Sequence, residues 1–396
     1  MKNYTGDYQK QETENLKTEK QEFVNTEKPM GKVNSVFAGR KGLLVTGAIL
    51  IVIIGVIVAG ILFVNGKLNK LDYHDGKLEE PFSGELTEED LFEVDTSGLE
   101  MVDDLEPLPE LDIIEDSGVI NILLLGTDER DSEFSDSARS DAILILSLNI
   151  NDNTAKLVSV ERGLGVPIIE GDHEGENDLI THCFRWGGAD LVMKELQACL
   201  RIKLERYVRV NLNSFIKIVD TIGGIDLELT DGEAWYINQV AMGNPVGGYK
   251  NHGYYRPENG LYEWPDLHEG VNHLNGTEAL SFARIRYLDS DWQRIERQRK
   301  VIQACVNQIK DSDISTLNEL LNEILPMVRT NFTKAELAAL MLEAPGFLGV
   351  QFEQMTIPAP GTYNAAKGIS GSTMYAPIFE ENAKILQEFF YGKVAD

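Results

Sequence analysis

Apolar residues fall along this chain in three patterns, and each predicts a different element. From Gly42 to Val64 the sequence GLLVTGAILIVIIGVIVAGILFV runs 23 residues without a charge. As a helix rising ~1.5 Å per residue, it is long enough to cross the ~30 Å hydrocarbon core of a bilayer. About forty polar-rich residues precede it, which separates it from a cleavable signal peptide. Between Val119 and Arg162 come shorter runs, VINILLLGTD, DAILILSLNI and TAKLVSVER, with the length and Val/Ile/Leu content of strands covered on both faces. GADLVMKELQACL and NSFIKIVDTIGG then carry helical spacing, the second closed by the helix-stopping pair Gly223 and Gly224. Strands alternating with helices predict an α/β layered domain.

Polar segments divide the rest. Residues 1–41 are rich in Lys, Glu, Gln, Asn and Thr and read as a disordered cytoplasmic tail. Residues 65–117 are acidic: from Asp72 to Asp116, eighteen Asp or Glu accompany the single Lys77, so a self-repelling extracellular stalk is expected. Residues 118–312 hold the core pattern. Residues 313–396 add helical patterns, TLNELLNEILPMV and APIFEENAKILQEFF, around an extended VQFEQMTIPAP, and are expected to complete the same domain. Lys28, Lys32, Arg40 and Lys41 before the apolar run, against Lys67, Lys70 and Lys77 after it, favour a cytoplasmic N-terminus. Cys183, Cys199 and Cys305 lack paired or metal-ligand spacing and are expected as free thiols.

A net charge of -28 excludes general nucleic-acid binding, which needs a broad positive surface. Yet ARIRYLDSDWQRIERQRK, residues 283–300, gathers Arg284, Arg286, Arg294, Arg297, Arg299 and Lys300. If SFARIRYL is extended, Arg284 and Arg286 project from one face toward a shared anion. In a helix starting near Ser290 or Asp291, Asp291, Arg294 and Gln298 fall at or beside the stripe of Ile295, Ile302, Val306 and Ile309, while Arg297 and Lys300 point away into solvent. Asp128 ends one strand run, and Arg139 with Asp141 precedes the next, at the strand ends where α/β sheets bind ligands. Two carboxylates and an anionic ligand suit a hard cation, Mg²⁺ best, with Mn²⁺ as a substitute. Arg162, after KLVSVE, adds another anion contact. Several Arg and Asp without a nucleophilic Ser or Cys motif point to phosphoryl chemistry, where positioning and charge neutralisation carry the rate. A structural salt-bridge network is the competing explanation.

NILLLGTDER, ARSDAILILSL, LVSVER, FRWGG, VDTIGGIDLEL, LNGTEALSFARIR and DWQRIERQ occur in the order and approximate spacing of the LytR-CpsA-Psr family, which the chain resembles over about residues 118–310. The resemblance implies a three-layer α/β/α sandwich around a mixed central sheet, outside the cell and behind a single N-terminal transmembrane helix. It also implies a phosphotransferase, with pyrophosphatase as a possible side activity, that moves a glycopolymer such as teichoic acid or capsular polysaccharide from undecaprenyl pyrophosphate to peptidoglycan. By motif match, Asp128 and Asp141 would hold Mg²⁺, and Arg139, Arg162, Arg284, Arg286 and Arg294 would clamp the pyrophosphate. Arg162 and Arg294 would also serve the reaction, with Asp291 and Gln298 orienting the arginines or the acceptor. Phe215, Ile218, Val219 and Ile222 are the expected wall of a lipid tunnel. Two departures stand out. Members commonly read Pro-Arg-Asp-Thr where this chain has Glu161, Arg162, Gly163 and Leu164, and Asp-Lys-Ile-Asn where it has Asp178, Leu179, Ile180 and Thr181. The lost Lys favours, as the alternative, a non-catalytic member that binds polyprenyl pyrophosphates as a sensor or scaffold. A cytoplasmic transcription regulator is not expected, since no helix-turn-helix pattern precedes the apolar run.

Overall fold

The apolar runs form strands of a seven-stranded mixed sheet in the order β1 (Asp72–Tyr73), β10 (Val328–Thr330), β7 (Arg206–Asn211), β2 (Val119–Thr127), β3 (Ser140–Asn149), β4 (Thr154–Val160) and β11 (Glu353–Ile357), numbered along the chain. The pairs β1–β10, β7–β2 and β4–β11 are parallel and the other three antiparallel. Three antiparallel ribbons stand apart from it: β5 (Gly165–Pro167) with β6 (Asn177–Leu179), β8 (Ile225–Leu229) with β9 (Gly270–Leu274), and β12 (Tyr363–Lys367) with β13 (Thr373–Pro377). The computed structural model describes residues 66–74, 93–128, 138–241, 266–285, 288, 291–311, 318–319, 322–323 and 325–395. The tail 1–41 and the apolar run 42–64 lie outside them, and among the described residues no helix is long and apolar enough to cross a membrane.

Alternation along the strands gives each face its own partner. Leu123, Leu125, Ile143, Ile145, Val158 and Val160 enter a packed core with α1 (Ile180–Leu200) and the last helix, α7 (Phe379–Tyr391). The FRWGG motif breaks α1 at Gly187 and Gly188, the latter at φ 65°. On the other face lie α2 (Leu212–Thr221), α3 (Asp231–Ala241), α4 (Gly276–Ala283) and α5 (Asp291–Asp311); α6 (Lys334–Glu343) follows β10. The helices α2 to α5 and the β8–β9 ribbon share a core of their own, including Val219, Ile225, Ile237, Leu274, Phe282 and Val301, to which the large sheet contributes no residue. That layer is therefore held together from within and need not fill the sheet's second face.

Local signals fix its geometry. Asn211 caps α2 by accepting the Ser214 N–H at 2.9 Å, and Asn275 with Glu278 forms a capping box on α4. A Cβ on Gly276 would lie 2.2 Å from the Ile216 carbonyl oxygen, so α4 seats on the α2 backbone only through glycine.

Two expectations change. The acidic segment 65–117 is not a free stalk where it is described. Leu68, Leu71, Val94, Leu111 and Ile114 are buried, β1 extends the sheet edge, and the Val102 N–H bonds the Ala365 carbonyl at 2.8 Å. Cations offset its charge: Arg329 Nε meets Asp72 at 2.7 Å and Lys367 meets Glu93 at 3.1 Å. The scattered apolar residues thus outweigh the self-repulsion. In the C-terminal part, the end of TLNELLNEILPMV is a 3₁₀ turn at Leu325–Met327 leading into β10 rather than helix. That part supplies β10 and β11 to the central sheet. Cys183 and Cys199 are free and buried, and Cys305 is free and half-buried.

Candidate functional site

The C-terminal ends of β2, β7, β4 and β11 meet the start of β3 at one edge of the sheet, because β3 runs antiparallel to both its neighbours. Here the ladder slips. Gly126 pairs with Ala142 but Thr127 pairs with Ser140, leaving Asp141 as the extra residue of a β-bulge. Strict alternation would send Asp141 to the packed face with Ile143 and Ile145. With the bulge, Asp141 and its neighbour Ala142 both line a cavity on the opposite face.

Asp128 follows β2 at the same edge. Its carboxylate accepts the Arg139 main-chain N–H at 2.9 Å and Arg139 Nε at 3.0 Å, and Arg139 Nη2 lies 3.0 Å from Oδ2. Arg162, two residues past β4, places Nη1 3.3 Å from Asp141 Oδ1. Each aspartate thus meets an arginine. A carboxylate has about four acceptor positions, so an arginine contact leaves capacity for a cation. Two protein carboxylates, with phosphate oxygens and water completing the shell, suit Mg²⁺. Among the described residues no group of three or more His, Cys, Asp or Glu forms a closed cage.

The cavity, about 270 Å³, lies between the sheet and the second helical layer. Leu124, Gly126, Ala142, Leu144, Val208 and Val210 form its floor, and Phe215, Leu280, Ala283, Val301 and Ile302 its roof. Asp141 from the sheet and Arg284 and Gln298 from the helices also line it. A Cβ on Gly126 would come 3.1 Å from that of Ala142, so this small pair keeps the floor low beside Asp141. Further along β3 and α5 a second apolar cavity of about 300 Å³ opens between Leu146, Leu148, Val306 and Ile309, with Leu340 of α6 and Phe347 beyond it also lining the space.

The arginine-rich stretch is arranged differently from its expected form. SFA belongs to α4, which the capping box starts at Gly276, so Arg284 is a helix C-cap whose N–H bonds the Leu280 carbonyl at 3.1 Å, not a strand residue. Arg286 and the side chain of Asp291 lie outside the described residues. α5 begins at Asp291; Arg294 on it is only 3% exposed, and Gln298, one turn later, reaches the cavity. Arg297, expected in solvent, is 2% exposed, with Nη1 3.4 Å from Glu233 and Nη2 donating to the Ile285 carbonyl at 3.0 Å. The cause is α3, which carries Glu233 over that face of α5. Of the expected tunnel residues, Phe215 lines the cavity. Val219 and Ile222 are buried in the helical layer's own core, and the half-buried Ile218 does not border the cavity. Leu179, where the resemblance leads to the expectation of Lys, is fully buried beside Ala366 and Met374. Sequence reasoning missed the sheet half of the cavity, whose signal was the apolar content of both strand phases.

Residues 91–388 match the LytR_cpsA_psr family. The polyisoprenyl-teichoic acid–peptidoglycan teichoic acid transferase TagU of Bacillus cereus is 31% identical over 262 residues, 65% of this chain and 74% of that protein. The TagU of Bacillus subtilis is 29% identical over 216 residues, 54% of this chain and 60% of that one. Among solved structures, TagT bound to LIIa-WTA has a TM-score of 0.51 at 24% identity, over 70% of this chain and 96% of that one. Bacillus subtilis TagV has a TM-score of 0.51 at 24% identity, over 70% and 98%. These structures share the fold.

Proposed function

The chain belongs to the LytR_cpsA_psr family, and from that premise we propose that it is a membrane-anchored transferase moving a glycopolymer from a polyprenyl pyrophosphate carrier to peptidoglycan. The observation that carries this reading is the bulged Asp141. It joins an apolar cavity about 270 Å³ in volume to a charged edge bearing Arg139, Arg162 and Asp128. A ligand with a hydrocarbon tail and a pyrophosphate head matches both halves, whereas a soluble sugar phosphate or an uncharged lipid matches one. The name of the TagU relatives, with its polyisoprenyl-linked teichoic acid and peptidoglycan, supports a teichoic-acid-like polymer.

In this reading the tail lies between the sheet and α2, α4 and α5, and extends toward the second cavity. Arg162, Arg284 and Arg139 bind the pyrophosphate, Arg286 joins them, and Arg294 lends its charge from the same helix face as Gln298. Asp128 and Asp141 would hold Mg²⁺, which when bound neutralises charge between the carboxylates and the pyrophosphate. An acceptor hydroxyl of peptidoglycan forms a new bond to the glycan-bearing phosphorus. The bridging P–O bond breaks, the hydroxyl's proton passes to solvent, and the carrier leaves as polyprenyl phosphate. Catalysis rests on positioning and on arginine charge at the oxygens that gain it. The run 42–64 anchors the chain with its N-terminus in the cytoplasm, so protease added to protoplasts should remove residues 65–396; their protection would overturn that topology.

The test uses the full chain in detergent, a synthetic polyprenyl-pyrophosphate-linked glycan and peptidoglycan fragments, with transfer and donor binding measured side by side. Transfer should cease in excess chelator and return with Mg²⁺. Arg162→Ala should lower turnover about 100-fold, the cost of one charge-stabilising donor. Tight donor binding without transfer or hydrolysis would establish the sensor or scaffold instead.

A further inference from the structure

Next to Gly163, the residue after Arg162, three aromatic rings from distant parts of the chain converge. Trp292, the second residue of α5, has its ring centroid 6.2 Å from Tyr363 and 6.1 Å from Tyr375. The two tyrosines, diagonal neighbours on the β12–β13 hairpin, are 4.9 Å apart and steeply inclined at 68°. Tyr375 is 4% exposed and forms the base, while Trp292 and Tyr363 keep part of their rings open to solvent.

The cluster is tied to the charged edge at several points. The Tyr375 N–H donates to the carbonyl of Gly163, the residue after Arg162, at 2.9 Å. Tyr363 sits in the field of Glu161, the residue before Arg162; burial first, and then Glu161 and Asp95, push its phenol above the usual range. Trp292 shares α5 with Arg294 and Gln298. Asp141 thus links the apolar cavity to Arg162, and Gly163 links Arg162 to the aromatic rings. Half-exposed indole and phenol rings with a phenolic hydroxyl suit a pyranose, whose C–H faces stack on rings and whose hydroxyls take the polar bonds. A lipid-linked saccharide has the matching covalent order: hydrocarbon, phosphate, sugar.

We propose that Trp292 and Tyr363, backed by Tyr375, are the stacking wall of a saccharide subsite next to the phosphate site. This rests on the transferase reading for its substrate class. The sugar comes either from the donor, attached to the pyrophosphate, or from the acceptor, whose hydroxyl must approach within about 3–3.5 Å of the phosphorus.

The experiment uses the full chain in detergent, labelled with 5-fluorotryptophan, with the Trp292 ¹⁹F resonance assigned by its loss in Trp292→Phe. It is titrated with lipid-linked donor, with polyprenyl pyrophosphate lacking sugar, and with a peptidoglycan oligosaccharide lacking lipid. The Trp292 resonance should shift with a saccharide and not with the sugar-free lipid; a shift with the donor alone names the donor sugar, and with the oligosaccharide the acceptor. Trp292→Ala should raise KM for that saccharide about tenfold, the size of one lost aromatic contact, leaving kcat and the other KM near wild type, and Trp292→Phe should recover most of the loss. No shift with either saccharide, or an equal shift with the sugar-free lipid, overturns the subsite. Failure of the transferase reading looks different: the donor would bind with neither transfer nor hydrolysis, or the sugar-free lipid would fail to bind, whatever Trp292 reports with sugar.

Discussion

Replacing Ala142 by leucine should stabilise the fold and disable the protein. Ala142 pairs with Gly126 and lines the 270 Å³ cavity beside Asp141. Leucine adds three carbons, and the open space over Gly126 receives them. At ~0.8 kcal/mol per buried methylene the gain reaches at most about 2.4 kcal/mol. For domains of ~150–250 residues each kcal/mol raises Tm by about 2–4 °C, and somewhat less in a larger unit. The same three carbons take the room of about three carbons of an isoprenoid tail. Excluding them from burial costs about 2.4 kcal/mol, roughly fiftyfold in affinity. The assay pairs thermal unfolding of the full chain with titration of polyprenyl pyrophosphate, and uses inorganic pyrophosphate as a control for the charged edge, which should bind as before. A variant with raised Tm and unchanged lipid affinity would refute the reasoning, since the cavity would be filled without the lipid being displaced.

Two further outcomes test the scaffold. Gly276→Ala should cost about 1–3 kcal/mol in urea unfolding, because its Cβ would meet the Ile216 carbonyl oxygen at 2.2 Å; a neutral result would show that α2 and α4 can separate freely. Glu195 is fully buried, accepting the Ile169 N–H at 2.8 Å, and burial pushes its carboxyl from 4.5 up to about 8. The native state then holds a proton that the unfolded chain releases, so the stabilisation is complete below about pH 4.5 and is lost as pH rises toward 8. Glu195→Gln should flatten that slope in denaturant titrations at several pH values, and an unaltered slope would exclude Glu195 as its source.

Much of this protein was legible in single segments. Apolar residues in both phases of VINILLLGTD and DAILILSLNI require a sheet covered on both faces, and Asn211, Asn275 with Glu278, and Gly223 mark helix ends by chemistry confined to one turn. The aspartates and arginines of the edge were likewise visible as strand-end residues. Tertiary structure decided what each face meets. Asp141 turns toward the cavity because β2 and β3 slip register, a property of the pair. Arg297 is buried because α3 supplies Glu233, and Arg284 caps a helix whose start lies eight residues earlier. The acidic segment joins the domain because Leu68, Leu71, Val94, Leu111 and Ile114 find partners far along the chain, with Arg329 and Lys367 offsetting its charge. The cavity exists because the second helical layer closes a core on itself and leaves part of the sheet's face uncovered. Periodicity records how a segment divides its own surface. Which surface it meets depends on pairing between residues tens to hundreds of positions apart, and no local pattern carries that information.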